Sequence, residues 1–368
     1  MKILLLTTHL NLGGIGIYVL SQAKGLVQRN HEVFVASSGG DLVALLESFG
    51  VEHLLINIKT KSAVSPKILL TQRKIARIIK EKNIEIIHAH TRVTQVLAHL
   101  LSKKTGAPYV TTCHGFFRPH RFRKILPCWG KRSIAISEAV REHLVNDLGV
   151  KKEVVTVVHN GVEIEKFSPD KFNRAQKEEF RKNYGLKDTG PVIGTVARFS
   201  SVKGQRYLIP AMKRILETHP AAQLLLVGEG PEKKRLLDEA EELEIEDKVF
   251  FGPPALDTSV PLSIMDVFVL PSLLEGLGLA IIEAQAMGLP CVATDVGGIY
   301  TLVKDGVNGF LVHPREPTAL AEAILKLLID KELAQKFGRE ARIQATASFN
   351  LKQMIDGIEE VYKEVLKK

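Results

Sequence analysis

The sequence predicts an α/β protein of two consecutive Rossmann-like domains, each a parallel sheet covered by helices, followed by a helical tail. Short apolar runs recur along the 368 residues with helix-length segments between them. These runs are continuous rather than alternating, as in strands buried on both faces. The series breaks once, at a charged stretch, and then restarts. Dividing the length by about 150 residues per domain gives roughly two to three domains.

In the first half, Ile3-Leu4-Leu5-Leu6 opens the series and leads through Gly13-Gly14-Ile15-Gly16 into a helical pattern that ends near Arg29. Val33 to Ala36, His53 to Ile56, Ile84 to Ile87, Tyr109 to Thr112, Ser133 to Ile136 and Val154 to Val158 follow. The intervals between them suit crossover helices. Asn160-Gly161 breaks the last run. Residues 1–168 are therefore expected as the first domain and 169–190, with Ser168-Pro169-Asp170 and the charged stretch Lys171 to Lys187, as a linker. The pattern restarts at Val192 to Val196 and continues through Leu224 to Val227, Val249 to Phe251, Val267 to Leu270, Cys291 to Ala293 and Phe310 to Val312. Residues 191–350 make the second domain, and 351–368 a helix that crosses back to the first.

The composition is that of a soluble enzyme, 45% hydrophobic and 25% charged, which excludes wholesale disorder. A net charge of +9 favours an anionic partner. Cys113, Cys128 and Cys291 are too sparse for a disulfide framework and too scattered for a metal-ligand pair, so a reducing cytoplasm is expected. The uncharged stretch from Ile3 to Ala23 has only four consecutive aliphatics before Thr7, Thr8 and His9, too few for a signal peptide or a membrane span.

The most informative segment runs from Pro271 to Pro290. A strand opens into a loop with Gly276 and Gly278, then a helix ending at Gly288. Glycine lets backbone approach a ligand, and a helix start offers unpaired N–H groups. Glu275 falls in the loop and Glu283 on the second helical turn, placed to grip hydroxyls at two ends of a sugar nucleotide. A capped helix with solvated glutamates has the same pattern. Arg198 at a strand end and Lys203 at the next helix start bring two cations to the same sheet edge, a pairing suited to a diphosphate. Two surface cations would read the same way.

Taken together these segments resemble the GT-B glycosyltransferases of family 4, over essentially the whole chain. The resemblance rests on Gly13-Gly14, Thr112-Cys113-His114-Gly115, His159-Asn160-Gly161-Val162, Ala197-Arg198-Phe199 with Lys203-Gly204, Val227-Gly228-Glu229-Gly230, and Glu275 with Glu283 and the following Ala284, Ala286, Gly288 and Pro290. It implies two facing Rossmann-like domains with a cleft between them. It also implies a donor nucleotide-diphosphate sugar held by Gly14, Arg198, Lys203, Glu275, the Gly276–Leu277–Gly278–Leu279 backbone and Glu283, with base selection by backbone near Gly228 and Phe250. Glu283 would accept from the ribose hydroxyls and Glu275 contact the transferred sugar. His114 would lie near that sugar, catalysis resting on His114, Arg198, Lys203 and Glu275. The acceptor, a sugar or glycolipid, would meet Gly13, Gly14, His114, Arg118 and Arg121. Ala197 stands where glycine is frequent, and Leu277 where phenylalanine is usual, which loosens the expected sugar pocket.

Such enzymes are retaining transferases. The sequence has no Asp-x-Asp motif, so no metal is expected to hold the diphosphate. His88 and His90 share one face of a strand end and read as structural histidines without a third ligand in reach. Between Gly115 and Arg132 lie Arg118, Arg121, Arg123, Lys124, Lys131 and Arg132, no acid, and interleaved aromatics. That suits an anionic membrane surface or a phosphorylated acceptor; no RNA-binding signature accompanies it. The expected protein is cytoplasmic, peripheral on the inner membrane face, and serves cell-envelope glycan synthesis. A nucleotide-sugar epimerase of the same architecture and a non-catalytic sugar-nucleotide-binding protein are the alternatives.

Overall fold

A computed structural model describes residues 1–58, 60, 65–117, 123 and 126–367, and divides into two compact units. One comprises Met1–Asn160 with Leu351–Lys368, the other Gly161–Asn350.

The first unit is built on a parallel sheet of β1 (Lys2–Leu6), β2 (Glu32–Ser37), β3 (Glu52–Leu55), β4 (Ile86–Ala89), β5 (Tyr109–Cys113), β6 (Arg132–Ala135) and β7 (Val155–Val157), in the order β3-β2-β1-β4-β5-β6-β7. The continuous apolar run of β1 has a direct physical cause. Ile3 and Leu5 pack into a layer with Tyr18, Val19 and Leu26, whereas Leu4 and Leu6 pack into the opposite layer with Phe34, Ile75 and Leu97. The helix Leu351–Leu366 completes the first of these layers through Met354, Ile355, Ile358 and Tyr362. Its backing onto the helix Gly14–Val27 is close, since a Cβ on Gly25 would meet Ile355 Cγ1 at 2.6 Å.

The second unit holds β8 (Val192–Val196), β9 (Gln223–Val227), β10 (Val249–Gly252), β11 (Val267–Leu270), β12 (Cys291–Thr294) and β13 (Gly309–Val312), all parallel, in the order β10-β9-β8-β11-β12-β13. Both sheets reverse direction of growth beside their first strand, at β1/β4 and at β8/β11. In doubly wound sheets the crevice at the carboxyl ends of such strands is where ligands bind.

The expected linker over 169–190 takes a different form. It carries the helix Arg174–Asn183, closed by a capping box between Asn173 and Gln176, and lies within the second unit. Arg181 donates to the carbonyls of Lys187 and Gly190, and the Lys187 N–H donates to Gln223 Oε1 at 2.6 Å. These bonds tie the charged stretch to β9, so its charges are those of a solvated helix face rather than of a free tether. The first unit correspondingly ends at Asn160, not 168. Beyond the division, the Val162 N–H donates to Phe349 O at 2.9 Å, and Arg342 donates to Phe167 O at 2.8 Å.

Candidate functional site

The second unit brings the loops after β8 and β11 into contact. Arg198 follows β8 and is exposed. The sequence places Lys203 at a helix start; the structure instead puts it in a 3₁₀ turn, Ser201–Lys203, with the next α-helix beginning only at Leu208. Gly204 is the reason. It adopts the left-handed conformation, φ +68°, and a Cβ there would lie 1.9 Å from Pro271 O. Glycine alone lets the two loops touch at this point. The Leu273 N–H then donates to Val202 O at 2.7 Å, and the Gln205 amide donates to Arg198 O at 3.0 Å.

This contact delivers Lys203 Nζ to Glu275 Oε2 as an ion pair, both side chains being mostly buried. Ser272 Oγ donates to the same carboxylate oxygen at 3.3 Å, and the Glu275 carbonyl accepts from Gly298 N–H at 3.0 Å. The loop carrying Glu275 is therefore held from both sides. Behind it, Gly278 with φ +105° turns the chain into the helix Leu279–Ala286.

Glu283 lies on that helix and is buried. Its Oε2 accepts from Thr258 Oγ1 at 2.9 Å. Burial pushes its carboxyl up to about 7, against the opposing pull of the Thr258 hydroxyl and Lys166. A carboxyl so poised accepts hydrogen bonds when ionised and donates one when protonated.

Two expected donor contacts are placed differently. Leu277 is 1% exposed, so its side chain belongs to the core and only its backbone faces the loop. It therefore does not widen a sugar pocket. Phe250 lies inside β10, two residues before its end, and its ring faces Gly185. The Gly228 N–H donates to Gly252 O at 3.0 Å. The Gly228 N–H is thus already engaged by backbone at the end of β10.

The first unit gathers a second set of residues at its own switch point. Gly13 and Gly14 open the helix Gly14–Val27 and are exposed, with no atom within 4 Å of an added Cβ. His90 follows β4 and His114 follows β5. His90 Nδ1 and His114 Nε2 are 3.2 Å apart, and Tyr18 from the helix stands edge-on to the His114 ring at 4.7 Å. His88 stacks on His90 at 4.3 Å. Its Nδ1 is within hydrogen-bond distance of the Gln22 amide (2.9 Å) and the Tyr362 hydroxyl (2.6 Å), so Nε2 carries the proton donated to Thr112 Oγ1 at 2.7 Å. Burial drives His88 and His114 down to about 3 and His90 well below its ordinary value, so all three are neutral. Cys113 turns the other way, toward Ser133, and burial pushes its thiol up to about 12. Arg118 and Arg121 lie outside the described residues. Among the described residues no group of His, Cys, Asp and Glu is arranged to hold a metal ion.

Sequence reasoning missed Tyr18, Ser272 and Thr258. Tyr18 carried a readable signal, being one turn into a helix that starts from an exposed glycine pair. Ser272 and Thr258 carried none.

Residues 12–166 match the family model described as Glycosyltransferase Family 4, and residues 176–344 the one described as Glycosyl transferases group 1. The chain is 27% identical, over 98% of its length and 97% of the relative's, to the N-acetyl-alpha-D-glucosaminyl L-malate synthase of Bacillus anthracis. It is 31% identical to the D-inositol 3-phosphate glycosyltransferase of Acidothermus cellulolyticus, over 77% of this chain and 67% of that one. The crystal structure of Anabaena Alr3699/HepE in complex with UDP superposes with a TM-score of 0.85 at 25% identity, covering 99% of this chain and 100% of that one.

Proposed function

The chain belongs to the group 1 glycosyl transferases, with a family 4 first half and the GT-B fold, and on that footing we propose that it is a retaining, metal-independent transferase using a uridine diphosphate sugar. The observation that carries this reading is the Lys203–Glu275 pair at the β8/β11 switch point, with the exposed Arg198 earlier on the same loop as Lys203.

In the proposed reaction the bond from the anomeric carbon to the diphosphate breaks, and its electron pair leaves with the diphosphate. Arg198 and Lys203 stabilise that growing charge; a preorganised group of this kind contributes about 3–4 kcal/mol. The acceptor oxygen bonds to the same face of the anomeric carbon, and its proton passes to a departing phosphate oxygen. Glu275 orients the sugar, and Glu283 the ribose. His114, on the first unit, is assigned to the acceptor. Two protein cations do the neutralising, and the sequence has no Asp-x-Asp motif, which is why no divalent ion enters the scheme.

The UDP bound by the Anabaena relative supports the choice of base. The names of the two sequence relatives carry L-malate and D-inositol 3-phosphate, and together with the acid-free Gly115–Arg132 segment they support an anionic acceptor. A lipid-linked acceptor of the cell envelope, met by an enzyme peripheral on the cytoplasmic membrane face, fits the same charge. No described helix is long and apolar enough to cross a membrane.

A thermal-shift panel of nucleoside diphosphates tests the donor assignment. UDP at 100 times its dissociation constant should stabilise the parent by about 2.7 kcal/mol. The effect should persist in EDTA and disappear in Lys203→Ala. Equal shifts in parent and variant would overturn the site, and a requirement for divalent metal would overturn the metal-free scheme.

A further inference from the structure

Three leucines of the first unit stand in water. Leu55, at the end of β3 on the sheet edge, is 64% exposed, and Leu69 and Leu70 are 58% and 69% exposed. The latter two belong to the helix Pro66–Glu81, whose other side packs into the core through Ile68, Ile75, Ala76 and Ile79. Lys74 Nζ donates to Leu55 O at 3.1 Å, which joins helix and strand end into one surface.

That surface is strongly cationic. The exposed side of the helix carries Lys67, Arg73, Lys74, Arg77 and Lys80, and the only acid of the helix is its last residue, Glu81. None of these five cations has a carboxylate partner among the described residues, whereas Lys2, Lys82, Arg29 and Arg132 of the same unit are paired with Glu32, Glu52, Asp356 and Glu364. The stretch joining β3 to the helix adds Lys59 and Lys61 to the sequence and no acid.

Leu69 and Leu70 point about 100° apart around the helix, with Arg73 and Arg77 between them in projection. Apolar anchors separated by cations do not make the contiguous apolar patch of a protein interface. They make the interfacial arrangement, in which leucines enter at headgroup level and Lys and Arg reach the phosphates. A second copy of this chain would bring the same cations and be repelled.

We propose that Leu55, Leu69 and Leu70, with the cations of the Pro66–Glu81 helix, dock the first unit onto an anionic lipid bilayer. The proposal rests on the peripheral-membrane reading above but assigns the contact to the Pro66–Glu81 helix and Leu55 rather than to the Gly115–Arg132 segment. Flotation with phosphatidylglycerol vesicles at low salt should carry the parent, and phosphatidylcholine vesicles should not. The variant with Leu69→Glu and Leu70→Glu should lose vesicle binding by at least about tenfold, with UDP binding and donor hydrolysis in solution unchanged. Leu70→Trp should shift its emission to the blue on phosphatidylglycerol vesicles; Trp129, the sole native tryptophan, is buried and sets the baseline. Flotation abolished by Arg121→Ser, Arg123→Ser and Lys124→Ser together, yet indifferent to the leucine variant, would overturn this face and keep the membrane reading. Absence of any flotation would overturn both. Self-association lost in the leucine variant would identify a second copy as the occupant and overturn the lipid assignment.

Discussion

Lys203 and Glu275, separated by 72 positions in the chain, meet as an ion pair because Gly204 rests against the Pro271 carbonyl. Each charge is held in place by the other until a donor arrives. Lys203→Ala and Arg198→Ala should each lower transfer by at least about tenfold with the fold intact. A double-mutant cycle of Lys203→Met and Glu275→Gln should be non-additive by about 0.5–3 kcal/mol in transition-state stabilisation. Steady-state kinetics on the parent, the two alanine variants and the three variants of the cycle checks both; additive losses in the cycle would mean the pair does not act as a unit.

The two glutamates should separate in calorimetry. At pH 8.5, where its carboxyl is ionised, Glu283→Gln weakens binding of bare UDP because the ribose loses that acceptor, whereas Glu275→Gln leaves UDP affinity nearly unchanged and lowers transfer. Equal losses of UDP affinity would refute the division of labour.

Glu283 also sets a pH dependence. Its folded carboxyl is raised from 4.5 to about 7, so between those values the folded state holds the proton more tightly than the unfolded chain. Stability therefore falls as pH rises from about 4.5 to 7 and levels off above, the whole effect being at most about 3 kcal/mol. In the absence of nucleotide, Glu283→Gln should melt above the parent at pH 8.5, and the gap should close towards pH 4.5. Parallel melting curves at the two pH values would contradict the burial argument.

Gly204→Ala forces a Cβ against Pro271 O in a left-handed backbone. The strain costs about 1–3 kcal/mol, and relieving it moves Lys203 off Glu275. The expected outcome is a lower urea midpoint and a weaker UDP-induced thermal shift in the same variant. A drop in stability with UDP binding intact would separate the turn from the site.

Tyr362→Phe removes a hydroxyl within hydrogen-bond distance of His88 and Gln22 and should cost about 1–3 kcal/mol while leaving UDP affinity unchanged. Chemical denaturation and calorimetry together check it.

Much of the fold was legible because strands buried on both faces must be apolar at successive positions. Leu4 and Leu5 serve opposite layers, and neither tolerates a charge. The loops after β8 and β11 were legible for the same reason, since strand order puts Arg198 and Glu275 at one sheet edge. What stayed hidden depends on contacts distant in sequence. Nothing near Lys203 announces that Gly204 needs Pro271, and nothing near Tyr362 announces His88. The helix Arg174–Asn183 read as a linker because its charges dominate its composition, while the bonds fixing it run to backbone carbonyls and Gln223. Leu277 read as a pocket residue because sequence position does not say which way a loop side chain turns.

The return of Leu351–Leu366 to the first unit reverses the usual timetable of synthesis. Residues 161–350 form a contiguous piece and leave the ribosome before the first unit has its last layer. Ile3, Leu5, Val19 and Leu26 wait for Met354, Ile355 and Ile358 while those residues are translated, roughly 10–40 s at ordinary elongation rates. The part that begins the chain is thus the last to close, and through that interval the strip later covered by Leu351–Leu366 lacks that cover.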